Sequence, residues 1–147
     1  MAVRRVTVLL AFAAVSFTLA GIQHEGPGQR PAAAAGGDAA RGAKLYETLP
    51  CASCHDITHP WPGGAVCPNL GNIATEAARI VRRADYHGRA KDAAAYIRES
   101  IVDPNAYLVP GGSYRQADGQ SVMPKDFAQT LTPAQLDDLV AFLLTLR

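Results

Sequence analysis

The chain has 147 residues, which is enough for one ordinary domain. Hydrophobic residues make up 48% of it and charged residues 18%, a composition that is globular rather than disordered or fibrous. Fourteen basic and thirteen acidic side chains almost cancel, which argues against a nucleic-acid binder that relies on a basic surface. Three cysteines are too few for a small domain built on disulfide bonds.

The N-terminal segment, residues 1–22, has the pattern of an export signal. Arg4 and Arg5 precede an almost unbroken apolar run over residues 6–22. At 1.5 Å per residue this run would span roughly 25 Å, the short limit for crossing a bilayer. A cleaved signal peptide and a retained membrane anchor therefore both remain open. Either one sends the rest of the chain out of the cytoplasm, to the periplasm or to the outer face of the cytoplasmic membrane.

Residues 23–37 are rich in proline, glycine and alanine and show no periodic apolar face. This composition predicts a flexible linker. The folded domain is expected to occupy residues 38–147.

Four helices are predicted in that domain, and each opens with a residue that commonly caps helix N-termini: Asp38, Thr75, Asp92 and Thr132. The first continues to about Leu49, the second through residue 84, and the third to Pro104. The last has the Thr-Pro-x-Gln pattern of a capping box. No segment reads as a strand, so the predicted fold class is all-α, with four to five short helices and long loops.

Two long segments, 55–74 and 104–131, lack clear helical periodicity and hold six of the ten prolines. Loops of this length in a compact domain are usually functional. A small helical domain with so much irregular chain needs something else to pack against, and a buried prosthetic group would supply it.

The motif Cys51-Ala52-Ser53-Cys54-His55 has the C-x-x-C-H spacing of covalent haem c attachment. Two thiols three positions apart on a helical turn can reach two vinyl groups of one haem. The histidine that follows is then placed to ligate the iron. Cys51 and Cys54 are thus predicted to bind haem and His55 to ligate the metal.

A sixth iron ligand is predicted at Met123, the only methionine besides the initiator. It lies in a loop just before the last helix, next to Pro124, rather than on an apolar helix face. A methionine that merely fills a gap in the core is the alternative. His59 and His87 are the rival ligands.

These features resemble the class I c-type cytochromes over about residues 38–147. The resemblance rests on the five-residue motif together with Gly42 and Tyr46 in the first helix, Pro68-Asn69-Leu70, Met123-Pro124 and the amphipathic last helix. It implies that the first and last helices cross, with Gly42 allowing close approach to Phe142 or Leu139. It also implies that a backbone carbonyl at Pro68 accepts the N–H of the proximal histidine.

The resemblance extends to further haem contacts and to function. Trp61, Tyr107 and Tyr114 are expected to donate to haem propionates or pack on the ring, and Arg115 to pair with a propionate. The segment from residue 99 to the last helix is similar to monohaem subunits of respiratory complexes, such as the haem domain of cytochrome oxidase subunit II or the monohaem subunit of alternative complex III. The implied cofactor is one covalent haem c, and the implied partners are redox proteins of a membrane electron-transport complex.

The expected function is one-electron transfer without bond chemistry, in a relay subunit of such a complex. A soluble shuttle, or a haem enzyme or gas sensor with a labile sixth ligand, remains open. Cys67 has no obvious partner; it is a small buried side chain, a site for an intermolecular disulfide, or a lipid attachment point. A zinc site formed by Cys51, Cys54, Cys67 and either His55 or His59 is the remaining alternative.

Overall fold

The computed structural model describes residues 36–111 and 114–147, so the predicted signal or anchor segment and residues 23–35 of the predicted linker lie outside the described residues. The described part contains six helices: α1 Ala39–Thr48, α2 Cys51–Cys54, α3 Ile73–Ile80, α4 Ala93–Val102, α5 Phe127–Thr130 and α6 Pro133–Leu143. It has no strand, only an isolated bridge between Arg115 and Ser121. The all-α prediction is confirmed. None of the described helices is long and apolar enough to cross a membrane.

Three of the four predicted N-caps are confirmed. The Asp38 side chain accepts the amides of Ala40 and Arg41, and Asp92 accepts the amide of Ala95. Thr132 forms the predicted capping box. These bonds satisfy N–H groups that have no partner within their own helix.

The predicted bounds of α3 are wrong at both ends. The helix begins at Ile73 with Asn72 as its N-cap, so Thr75 lies inside it. Its first turn is set by tertiary contacts, because Ile73 is buried and the Ala74 amide donates to the Leu146 carbonyl at 2.9 Å. The helix ends at Ile80, and the chain then continues in short turns instead of running to residue 84.

The two single-turn helices were not predicted as separate elements. α2 is the attachment motif itself, and α5 lies within the predicted loop 104–131. A four-residue helix is too short to produce a periodic pattern. Phe127 of α5 is nevertheless buried in the core.

The core is organised by the crossing of α1 and α6, the most extensive helix pairing in the described structure. A side chain at Gly42 would overlap the Asp138 carbonyl and the Cβ of Phe142. One turn later, the rings of Tyr46 and Phe142 pack with centroids 5.6 Å apart. The close approach that the resemblance implied therefore occurs between Gly42 and Phe142.

A buried carboxylate joins the same two helices. Asp138 of α6 accepts the Asp38 amide at 2.7 Å and the Arg41 guanidinium at 2.7 and 2.8 Å. These hydrogen bonds hold the pKa of Asp138 below its usual value against the opposing effect of burial. The start of the domain is thereby tied to its last helix.

Candidate functional site

A largely apolar cavity of about 290 Å³ lies between the two long loops and the helices α2, α3, α4 and α5. Its described walls contain no Asp, Glu, Lys or Arg side chain. Residues from both ends of the domain line it, from Pro50 to Leu143. Such a cavity suits a large flat apolar group and would be costly to leave filled with water.

The two motif cysteines reach this cavity from α2. Cys51 is half-buried and Cys54 is exposed, and both line the cavity wall. The His55 amide donates to the Cys51 carbonyl at 2.9 Å, which fixes the turn that brings both thiols and the histidine to one side. Burial raises the pKa of the Cys51 thiol.

One contact orients the His55 ring, and a second holds the His55 backbone. Its ring Nδ1 lies 2.7 Å from the Pro68 carbonyl, and its own carbonyl accepts the Tyr46 hydroxyl at 2.5 Å. A carbonyl oxygen can only accept, so Nδ1 carries the proton and the neutral ring keeps its lone pair on Nε2. Burial lowers the pKa of His55, although the bond to Pro68 acts in the opposite direction. The imidazole is therefore prepared to ligate a metal.

Met123 lines the same cavity from the loop before α5. Its amide donates to the Ser121 hydroxyl at 3.1 Å, and the Ser121 amide donates to the Asn105 side chain at 2.8 Å. Met123 is thus placed by a hydrogen-bonded loop, and its side chain also packs against the hydrophobic core. His55 and Met123, 68 residues apart in the chain, share one cavity.

The rival ligands lie elsewhere. His59 is exposed and pairs with Asp56 at 2.6 Å, and His87 is exposed and packs on the Tyr107 ring. Neither histidine lines the cavity. Met123 is the candidate that the structure brings together with His55.

Four of the five additional predicted residues line the cavity: Pro68, Trp61, Tyr107 and Tyr114. Arg115 does not. It pairs with Ser121 in an antiparallel bridge, and neighbouring residues of extended chain point to opposite sides. Tyr114 accordingly faces the cavity while Arg115 is exposed, with its guanidinium 3.3 Å from the Leu108 carbonyl. The propionate role expected for Arg115 stays a prediction.

Cys67 is buried, with 5% of its surface exposed, and lines the cavity. Burial and the neighbouring Cys54 thiol raise its pKa to about 12. This placement fits a small buried side chain and leaves the thiol out of reach of a second chain or a lipid. Within residues 36–111 and 114–147, no group of three or more His, Cys, Asp or Glu side chains is arranged to hold a metal ion. The zinc alternative is therefore not supported.

Sequence reasoning did not identify the wall that α4 contributes. This wall consists of four side chains on one face of the helix: Tyr96, Ile97, Ser100 and Ile101. Their spacing of three and four residues was visible as a periodic face. That face could equally have been an ordinary core contact, so only the structure assigns it to the cavity.

Comparison with known proteins agrees with this geometry. The family model described as Cytochrome c matches residues 39–147. No curated protein sequence is significantly similar to the chain. The residues present also fit the cofactor of that family, because two thiols and an oriented imidazole open onto an apolar cavity. The match spans well over half of the chain, which therefore belongs to the cytochrome c family, whose members bind haem c covalently and use it for electron transfer.

Proposed function

We propose that this chain carries one haem c on Cys51 and Cys54, that His55 and Met123 would hold its iron, and that it passes one electron at a time. The observation that carries the proposal is the shared cavity. The oriented imidazole of His55 and the thioether of Met123, which come from different segments of the chain, both line it. Both ligand types are neutral, and a Met/His pair is the ligation found in cytochromes c.

Each residue has a distinct task in this site. Cys51 and Cys54 hold the group covalently, and the Pro68 carbonyl keeps the His55 ring in its ligating orientation. The apolar walls exclude water. The haem supplies one-electron redox chemistry. With His55 and Met123 in place, no coordination position is left for a substrate, which favours a carrier over an enzyme or gas sensor.

We further propose that the carrier works as a relay subunit of a membrane electron-transport complex. Two observations support this assignment: the apolar segment over residues 6–22, and the resemblance of the region before α6 to monohaem respiratory subunits. Cytochrome c domains are typically extracytoplasmic, in agreement with an exported chain. Residues 23–147 hold twelve basic and thirteen acidic side chains, so docking would depend on local fit more than on long-range attraction.

Carbon monoxide binding tests the ligation. The reduced wild-type protein should not bind carbon monoxide, whereas the Met123→Ala variant should bind it readily. Val122→Ala, next to Met123 and also on the cavity wall, is the matched control and should behave like wild type. Carbon monoxide binding by the wild type would support the enzyme or sensor alternative instead.

Intact mass tests the relay assignment independently. A full-length chain plus one haem, recovered from the membrane fraction, would support a retained anchor and a fixed relay. A haem-bearing chain shortened by about the first twenty residues and recovered in the soluble fraction would support a diffusing shuttle.

A further inference from the structure

We infer that Tyr114 is a positioning residue for Met123, because its hydroxyl clamps the loop that carries Met123 to the loop that follows the C-x-x-C-H motif. This inference rests on the ligation by Met123 proposed above. It gives Tyr114 a task different from the propionate contact that the resemblance implied. The hydroxyl proton is already committed to backbone carbonyls.

The clamp is a buried hydrogen bond. Tyr114 is 7% exposed, and its hydroxyl donates to the Gly63 carbonyl at 2.8 Å, with the Pro62 carbonyl at 3.2 Å as a second acceptor. Water has little access to replace a bond in this position, so its loss would leave carbonyl groups with fewer partners. Within the described residues, these are the only hydrogen bonds between the segments 56–72 and 103–126.

The backbone of Tyr114 is hydrogen-bonded to the chain segment that contains Met123. Its carbonyl accepts the Val122 amide at 3.2 Å, and Val122 is the residue directly before Met123. The bridge between Arg115 and Ser121 joins the same two chain segments. A displacement of Tyr114 would therefore move the segment that places the thioether.

The other end of the clamp leads to His55. The Pro62 carbonyl also accepts the Asn69 amide at 2.9 Å. Asn69 follows Pro68, whose carbonyl holds the His55 ring. A continuous path of hydrogen bonds and short backbone segments thus joins the two proposed iron ligands, and the Tyr114 hydroxyl is the only side-chain group that links the two loops in it.

A second anchor keeps the loop folded when the clamp is removed. Asn105, just after α4, holds the Ser121 amide, and the Ser121 hydroxyl holds the Met123 amide. These contacts do not involve Tyr114. Loss of the clamp should therefore loosen Met123 on its iron without unfolding the domain.

The test compares Tyr114→Phe with Tyr86→Phe in the haem-loaded protein. The Tyr86 hydroxyl donates to the Glu99 carboxylate at 2.5 Å, but Tyr86 lies outside the cavity wall and does not join the two loops. The measurements are the rate of cyanide binding to the ferric protein and the hydrogen exchange of the Val122 amide. Loss of one buried hydrogen bond should speed cyanide binding by about three- to tenfold in Tyr114→Phe. Val122 exchange should accelerate in the same variant, and Tyr86→Phe should match wild type in both measurements.

Met123→Ala separates the two hypotheses. If Met123→Ala binds cyanide faster than wild type while Tyr114→Phe does not, the clamp is overturned and the ligation stands. If Met123→Ala binds cyanide no faster than wild type, the ligation fails. In that case hydrogen exchange of the Val122 amide is the only test of the Tyr114 clamp. Faster exchange in Tyr114→Phe supports the clamp, and unchanged exchange overturns it.

Discussion

The Pro68 carbonyl oxygen lies 2.7 Å from Nδ1 of His55, thirteen residues earlier in the chain. This contact selects the tautomer and the ring orientation of the proposed iron ligand. It depends on the turn before Pro68, where Gly64 has a φ of +74° and lies against the Cys67 carbonyl. The conformation of Gly64 is therefore connected to the orientation of His55.

Gly64→Ala should destabilise the protein and disturb this contact. The added methyl group would overlap the Cys67 carbonyl in a backbone conformation that is unfavourable for alanine. We expect a loss of about 2–4 kcal/mol in the free energy of unfolding. The reduction potential should rise, because a weaker bond to Pro68 makes the His55 imidazole a poorer electron donor to the ferric iron. Denaturant unfolding and a redox titration measure the two effects.

The control for this prediction is Gly111→Ala. Gly111 has a similar φ of +79°, but a side chain there would meet nothing within 4 Å. Its substitution should lower the free energy of unfolding by only about 1 kcal/mol, the cost of a positive φ for alanine, and should not change the reduction potential. Equal effects of the two substitutions would contradict a role for the turn in orienting His55.

The crossing of α1 and α6 predicts that Gly42→Ala is strongly destabilising. The new methyl group would overlap backbone atoms of Asp138 and the Cβ of Phe142, so the helices must separate. We expect a loss of about 2–3 kcal/mol, measured by thermal or denaturant unfolding. Gly36→Ala has open space around it and should change stability by less than about 0.5 kcal/mol. A neutral Gly42→Ala would show that the two helices are farther apart than described.

Asp138→Asn should lower stability in a pH-dependent way. Arg41 holds the pKa of Asp138 below its ordinary value of 3.8, so the folded protein binds this proton more weakly than the unfolded chain does. The stabilisation is complete well above that value and is lost as the pH falls through the folded-state pKa. Unfolding should show a difference of about 2 kcal/mol between wild type and variant at neutral pH, and this difference should shrink as the pH falls through the folded-state pKa of Asp138.

Asp137→Asn provides the comparison on the same helix. Asp137 pairs with Arg98, and both side chains are substantially exposed, at 45% and 40%. An exposed pair contributes less than about 1 kcal/mol. A difference for Asp138→Asn that did not exceed that of Asp137→Asn would argue against the buried carboxylate as the main link between the helices.

Thiol labelling tests the placement of Cys67 and the state of the motif cysteines together. In the native haem-loaded protein no thiol should react, because Cys67 is buried and the proposal places Cys51 and Cys54 in thioether bonds to the haem. After denaturation one thiol should react, and none in Cys67→Ala. Labelling of the native protein, or a disulfide-linked dimer on a non-reducing gel, would contradict the burial of Cys67. Three labelled thiols after denaturation would contradict covalent haem attachment.

Local patterns were sufficient for much of this protein. The five residues from Cys51 to His55 encode their chemistry through short-range spacing, and the caps Asp38, Asp92 and Thr132 act on amides two or three residues away. Physical effects confined to a few neighbouring residues are the ones a single sequence can display. The all-α class and the cytochrome c family were accessible for the same reason.

Features that depend on long-range contacts could be assigned only from the tertiary structure. The start of α3 moved from Thr75 to Ile73 because a distant carbonyl, that of Leu146, takes the Ala74 amide. Tyr114 and Arg115 are adjacent and were expected to serve the haem alike, yet the bridge to Ser121 turns one into the cavity and the other to solvent. Only packing between segments far apart in the chain determines which side chain is buried and which polar group finds a partner, so these assignments had to come from the folded molecule.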